Sequence, residues 1–416
     1  MKMKATNSRL VITGMGAVTP IGIGVQEYWD NLVAGKCGVE RITRFDTTEL
    51  PVKIAAEVKN FDAEQFMPKK LTREMDPYMQ YGYAAAMEAI EQAGEAAEPE
   101  RMGIVVGTAL GGISPIARTQ DGISRGEHRK VSPRFVPMII GNEAAAQVAI
   151  AKGYRGPSLT VSTACSSGGD AISTACLLLL SGQADAVLAM GTESALDPLF
   201  ILGLTTAHAL STNNDDPQGA SRPFDRDRDG FVIGEGGGAL IIETEENAKK
   251  RGATILVELA GFSNCTDGYH VTSPHPEGIG ALFCMEKAIE NAGLSTGDVD
   301  YINTHGTSTG VGDPIETQAI ARLFGDHAKD LAVTSTKGAT GHMMGAGGIT
   351  EAITCIQCIR TGIVPPTLNL DNPDEKCEKL NFVPKKAITK KVNVAMSNSF
   401  GFGGQNSSVV FKRYKA

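Results

Sequence analysis

Apolar positions along this chain follow two rhythms in turn. Short unbroken runs, Leu10–Thr13, Gly103–Gly107 and Ala186–Met190, have the length and content of buried strands. Between them, Met79–Gln92 and Ser167–Ser181 carry apolar residues at helical spacing. In the second of these, Ala171, Ile172, Ala175, Leu178 and Leu179 share one face. Such alternation predicts an α/β fold, a sheet covered by helices. The order then recurs. Ala89-Ile-Glu-Gln-Ala-Gly94 leads to the strand Gly103–Val106, and Ala288-Ile-Glu-Asn-Ala-Gly293 leads to Val299–Asn303. Val161-Ser-Thr-Ala-Cys165 precedes a helix, and Val333-Thr-Ser-Thr-Lys337 precedes a loop and the helix Gly348–Arg360. This predicts duplication of one α/β unit, residues 1–255 and 256–416, with loops of both halves meeting in one central site. Leu110–Ile140 and Pro198–Val232 keep neither rhythm and predict irregular cap insertions in the first half.

Composition narrows the class. A chain of 416 residues with 42% hydrophobic residues, 48 glycines and only 6% aromatics suits a packed, loop-rich α/β enzyme and not a disordered one. The net charge of −8 argues against nucleic acid and membrane surfaces as general partners. Basic residues do gather locally, at Lys69-Lys70 with Arg73 and from Arg125 to Arg134; each group is either a landing patch for an acidic partner or a solvated face. The eight cysteines lack framework spacing, which predicts free thiols in a reducing compartment. Cys355 and Cys358 fall on one face of a helical stretch and read as packing, not metal ligation. The opening Met-Lys-Met-Lys suggests a signal peptide, but Thr13, Gly14, Gly16 and Pro20 interrupt the apolar stretch, so strand and loop are expected. No run approaches the roughly 18 apolar residues of a membrane span. A cytoplasmic protein is expected.

The candidate chemistry lies in four short segments. Cys165 sits where a strand-like run meets a helix, and the free amides of a helix N-terminus would favour a thiolate there. A small buried cysteine, as expected for Cys176, is the plain alternative. His305 and His342 each follow a strand-like run and stand beside a glycine, where α/β enzymes carry their sites. His128, His270, His275 and His327 lie in polar loops and are expected to be solvated. Lys337 is either a surface lysine or a fixed positive charge, with Glu351 on the following helix as its partner. Phe400-Gly-Phe402-Gly-Gly404 reads as a cradle for a developing oxyanion or as a tight turn. Two other patterns carry less. Gly14-x-Gly16 lacks the third glycine of a dinucleotide loop. Arg222-Pro-Phe-Asp225-Arg-Asp-Arg-Asp-Gly230 reads as a salt-bridged turn rather than a calcium loop.

Together these segments resemble the β-ketoacyl-acyl-carrier-protein synthases of the thiolase superfamily, most closely the elongating type II enzymes of bacterial fatty acid synthesis. The likeness runs from about Leu10 to Lys412. It includes Val11-Ile-Thr-Gly-Met-Gly16, Ser132-Pro-Arg-Phe-Val-Pro137, Arg222-Pro-Phe-Asp225 and Asp229-Gly-Phe-Val-Ile-Gly234. The resemblance implies a thiolase-like fold, two duplicated βαβαβ-type halves in a layered α-β-α-β-α core. It implies a Cys-His-His site of Cys165, His305 and His342 supported by Lys337 and Glu351, with the amides of Cys165 and Phe402 as oxyanion hole. A histidine at 342, where priming synthases have asparagine, points to elongation. Thr307 and Thr309 would bond the pantetheine arm, Thr272 and Ser273 would line its entrance, Phe402 would gate, and Leu110 would mark the acyl tunnel. Lys70, Arg73, Arg129 and Lys130 would dock the acyl carrier protein, and Phe135, Val136 and Met138 would lie at a homodimer interface.

No metal and no cofactor beyond the carrier's phosphopantetheine are implied. Two departures stand out: His208 replaces a docking arginine, and Leu204 a phenylalanine near the tunnel. Thr309–Glu316 and Thr163–Ser167 also resemble polyketide ketosynthases, which leaves a polyketide-type condensation as a second reading. A silent chain-length partner subunit is a third, although such partners lack the nucleophile. A degradative thiolase would need a cysteine within Gly401–Gly404, where there is none.

Overall fold

The computed structural model describes residues 9–377 and 380–415; the opening Met-Lys-Met-Lys lies outside them. Ten strands form the body of a twelve-stranded sheet. The first five are β1 (Leu10–Thr19), β2 (Met102–Gly107), β3 (Ser158–Val161), β4 (Ala186–Glu193) and β5 (Gly236–Thr244). They lie side by side in the order β3-β2-β4-β5-β1. The second five are β6 (Val257–Thr266), β7 (Tyr301–Asn303), β8 (Ala332–Thr334), β9 (Val394–Gly401) and β10 (Gln405–Lys412). Their order, β8-β7-β9-β10-β6, is the same permutation. Strand senses repeat too. In each set the second strand runs parallel to the third and fourth, and the fifth antiparallel to the fourth and first. The duplication expected from the sequence is therefore present strand for strand.

Five helices complete the layers: α1 (Pro77–Ala93), α2 (Ser167–Leu180), α3 (Ile279–Asn291), α4 (Gly312–Phe324) and α5 (Gly347–Thr361). Helices α2 and α5 touch strands of both sets and form the central layer. Their apolar residues, including Ile172, Cys176, Leu179, Ile353 and Ile356, share one core with strands from both sides. Burying that much aliphatic surface, at about 25 cal/mol per Å², is what holds the halves together. Outside it, α1 covers β1, β5 and β4, while α3 covers β6 and β10. The two half-sheets also join edge to edge, but only from Leu10 to Ile12 against Val257 to Leu259.

Several expectations are corrected. Strand β1 continues through Gly14 and Gly16 to Thr19 instead of ending at Thr13. Cβ atoms at those glycines would collide with the carbonyl oxygens of Ala89 and Ala85, so the glycines serve the close approach of α1 and not a loop. The supposedly irregular insertions contain helices, Ile113–Ser124, Phe135–Ile139 and Pro198–Thr206. The first was obscured because Pro115 is its one fully buried residue. The last is apolar nearly all round, so it has no stripe to read. Arg222 and Asp225 pair at 3.1 Å and Arg228 reaches Asp374 at 2.9 Å, the salt-bridged turn that was expected. Cys355 and Cys358 are fully buried in α5. No helix among the described residues is long and apolar enough to cross a membrane.

Candidate active site

Strand ends from both halves deliver the reactive groups. After β3 the chain passes through Ala164, held at φ +51°, into a short turn, Ala164–Ser166, and then α2. This strained turn lifts Cys165 toward the centre. Asp170, in the first turn of α2, fastens it by accepting the hydroxyls of Thr163 and Ser166 and the side-chain amide of Asn264 from the other half. His305 lies two residues beyond β7. His342 follows β8 after the short helix Lys337–Thr340.

The Cys165 sulfur and ring nitrogens of His305 and His342 lie within 4.8 Å of one another. The two rings stand nearly perpendicular, centroids 5.3 Å apart. The Met344 N–H donates to Nδ1 of His342 at 3.4 Å, which puts the ring proton on Nε2. That Nε2 is buried and has no hydrogen-bond partner, and the same holds for the Nδ1 of His305. His305 is held through its backbone. Glu316 on α4 accepts the N–H groups of His305 and Gly306 at 2.9 and 2.8 Å. Burial pushes the Glu316 carboxyl up to about 7, against the pull of those amides.

Lys337 and Glu351 form an ion pair, 2% and 3% exposed, behind the histidines. Burial raises the Glu351 carboxyl while Lys337 opposes the rise. Burial also drives both imidazoles well below their usual range. The Lys337 charge adds to this, and His342 adds further for His305. The rings are thus neutral donors at physiological pH. The ring protons of His305 and His342 are accordingly expected to hold their NMR shifts from pH 8 down to 5.5; a titration centred near 6.5 would contradict this.

The thiol corrects the sequence expectation. Burial pushes Cys165 up to about 11, despite Lys337 and the amide groups of Phe402 and Cys165 itself, all of which favour the thiolate. The residue as a whole is half-buried, but the sulfur lies deep, and desolvation outweighs the helix terminus. Two amides nevertheless converge on the sulfur. Phe402 reaches it because Gly401 lets the β9–β10 turn approach the Cys165 backbone; a Cβ there would sit 2.8 Å from the Thr163 carbonyl oxygen. No other group of three His, Cys, Asp or Glu side chains gathers closely enough among the described residues to hold a metal ion. The buried Lys337 charge disfavours a cation at this one.

Cys165, both histidines and Phe402 line a cavity of about 260 Å³. Thr272, Ser273, Thr307 and Thr309 line it too, the last two with hydroxyls 3.1 Å apart. His208 joins them, in a left-handed conformation at φ +53°. Leu110 does not line this cavity; it is 36% exposed, and its N–H donates to Glu193. Leu204 is buried in the cluster of Ile201, Phe231 and Met344. Lys70, Arg73, Arg129 and Lys130 are exposed, Lys130 pairing with Glu127 at 2.9 Å. Phe135 and Met138 are half-buried and Val136 exposed.

Three histidines expected to be solvated also make local hydrogen bonds, and His270 is exposed as expected. His270 accepts the N–H groups of Thr272 and Ser273, His275 that of Glu277, and His327 bonds the Val299 carbonyl. Asp170, Glu193 and Glu316 were not foreseen as site residues. Their signal was an acidic residue in an otherwise apolar or small-residue setting, as where the run Ala186–Thr192 ends in Glu193.

The family model for the β-ketoacyl synthase N-terminal domain matches residues 7–248, and that for the β-ketoacyl synthase C-terminal domain matches 256–371. The 3-oxoacyl-[acyl-carrier-protein] synthase 2 of Coxiella burnetii is 45% identical over 408 residues, covering 97% of this chain and 98% of the relative. A β-ketoacyl synthase from Burkholderia phymatum superposes with a TM-score of 0.91 at 35% identity, covering 98% and 100% of the two chains. A ketosynthase bound to a hexaketide and in complex with its type II polyketide acyl-carrier protein gives 0.87 at 30% identity, covering 99% and 100%.

Proposed function

The chain belongs to the β-ketoacyl synthase family, and from that premise we propose how its residues divide the work. It is an acyltransferase of fatty acid elongation. It condenses an acyl chain with malonyl-acyl carrier protein, with loss of CO₂, to give the 3-oxoacyl product through an acyl-cysteine. The observation that carries our assignment of roles is the meeting of Cys165, His305 and His342 within 4.8 Å beside two converging amides.

In the first half-reaction the Cys165 sulfur attacks the thioester carbonyl. The bond to the carrier's sulfur breaks, and the cysteine proton leaves with the carrier thiol. The amides of Cys165 and Phe402 hold the transient oxyanion. In the second, the malonyl thioester oxygen sits against the imidazoles as the bond to CO₂ breaks. Neutral rings donate to the resulting enolate without protonating its carbon. That carbon attacks the acyl-cysteine carbonyl, the carbon–sulfur bond breaks, and Cys165 recovers its proton from solvent. Lys337, held by Glu351, keeps the field positive while charge develops.

Thr307 and Thr309 bind the pantetheine arm, Thr272 and Ser273 border its path, Phe402 gates it, and Leu110 lies on the acyl side. No cofactor is required beyond the carrier's own phosphopantetheine. The partner is acyl carrier protein, docking at Lys70, Arg73, Arg129 and Lys130. Charge reversal at Lys70 and Arg129 together is expected to raise KM for carrier-bound substrate about tenfold while leaving short CoA analogues unchanged. Equal effects on both substrates would remove the docking role.

A homodimer is supported by the exposed edge strand β3 and the exposed Val136 nearby in sequence. The chain divides into halves near residue 255, and its place is the cytoplasm. Greater identity to the elongation relative than to the polyketide ketosynthase, 45% against 30%, favours the fatty acid reading. The test is mass spectrometry of the protein after incubation with acyl carriers of graded chain length. An acyl adduct on Cys165 is expected; an adduct elsewhere, or none, would overturn the assignment.

A further inference from the structure

Glu193 ends β4 and is fully buried, and no cation among the described residues forms an ion pair with it. Four donors meet its carboxylate. Oε2 accepts the N–H groups of Ala109 at 2.6 Å and Gly345 at 3.2 Å. Oε1 accepts the Leu110 N–H at 3.2 Å and the Thr108 hydroxyl at 3.1 Å. A carboxylate offers about four acceptor positions, so each oxygen is fully used. The donors come from two separate loops, the one after β2 and the one after His342.

The second loop matters more. Its successive amides have separate anchors: Met344 N–H on His342 Nδ1, Gly345 N–H on Glu193, and Ala346 N–H on the Met343 carbonyl at 2.9 Å. The first of these selects the ring tautomer that carries its proton on Nε2, on a ring that lines the cavity. The second ties that turn to the end of a central strand. Met344 holds φ at +43°, a conformation that needs external fixing. The first loop is braced as well, since Ser162, just before the nucleophile turn, donates its hydroxyl to the Ala109 carbonyl at 3.3 Å.

We propose that Glu193 is a positioning residue that fixes the 342–345 turn, and with it the tautomer and aim of the His342 imidazole. The proposal rests on the enolate-stabilising role given to His342 above. The carboxylate reaches His342 only through the backbone and takes no part in bond making. Burial raises it to about 7, so it carries a desolvation penalty that four donors offset. An apolar residue of similar size would leave three amides and a hydroxyl stranded.

The test compares Glu193→Gln with the parent in two assays on the full-length protein. A glutamine keeps the shape but turns two acceptor positions into N–H donors facing N–H groups. Malonyl-carrier decarboxylation is expected to lose about 30-fold in kcat, with KM within about twofold, since small displacements of a donor carry large rate effects. Acylation of Cys165 by a short acyl thioester is expected to stay within about threefold. Glu193→Asp, which restores the charge, should regain at least a third of the parent decarboxylation rate.

Decarboxylation within twofold of the parent, or an equal fall in decarboxylation and acylation, would overturn the proposal. If Glu193→Gln does not fold, Thr108→Val removes one donor and should show the same split at about threefold, and no split would count against it. A His342→Ala control separates the two levels. If that variant decarboxylates normally, the role given to His342 fails, and the positioning claim falls with it. If it is inactive while Glu193→Gln behaves as parent, the positioning claim alone fails.

Discussion

Cys165→Ala is expected to lose condensation by on the order of 10⁴-fold or more and to take up no acyl group at all. The argument is geometric. The sulfur is the only nucleophile the turn after β3 delivers to the two converging amides and both imidazoles. Cys176, in the helix that follows, is buried among aliphatic side chains and cannot substitute. Alanine leaves the fold intact, because the turn is held by Asp170 and not by the thiol. Intact-mass measurement after exposure to acyl carrier substrates, beside a condensation assay, provides the check. A variant that still condenses at a tenth of the parent rate would mean that acyl transfer runs through another group.

The second large effect separates the half-reactions. His305→Ala and His342→Ala are each expected to lower malonyl decarboxylation by about 10² to 10³, the usual loss for one donor to a developing oxyanion. Cys165→Gln should abolish condensation yet retain decarboxylation, since the imidazoles and not the sulfur perform that step. The structure supports the division. The imidazoles of His305 and His342 are buried and neutral, and the Lys337 charge, held in place by Glu351, acts on both. Carbon dioxide release from malonyl carrier, followed for all three variants, is the measurement. Decarboxylation untouched in both alanine variants would remove the enolate-stabilising role from the pair.

Much of this was legible because hydrophobic burial writes itself into local pattern. The repeated Ala-Ile-Glu-x-Ala-Gly segments predict duplicated units, and α1 and α3 each end within one of them. His305 and His342 stand out as reactive residue types beside glycines at strand ends, and Cys165 as a thiol where a strand-like run meets a helix. Other features were hidden because they depend on partners distant in sequence. Gly14 and Gly16 resembled loop residues until helix α1 was seen resting on them. The thiol's environment was misjudged because a helix terminus is visible in sequence and the depth of a sulfur is not. Glu193 and Glu316 escaped notice since a buried carboxylate is explained by backbone amides, which no residue name reveals.

The duplicated strand order has one more effect. The nucleophile hangs from one copy of the pattern and the imidazoles from the other, so a molecule with a single copy folded holds either half of the chemistry but never both. A nascent or damaged chain is therefore inert toward thioesters until its two repeats have docked, and catalytic competence doubles as a readout of complete assembly.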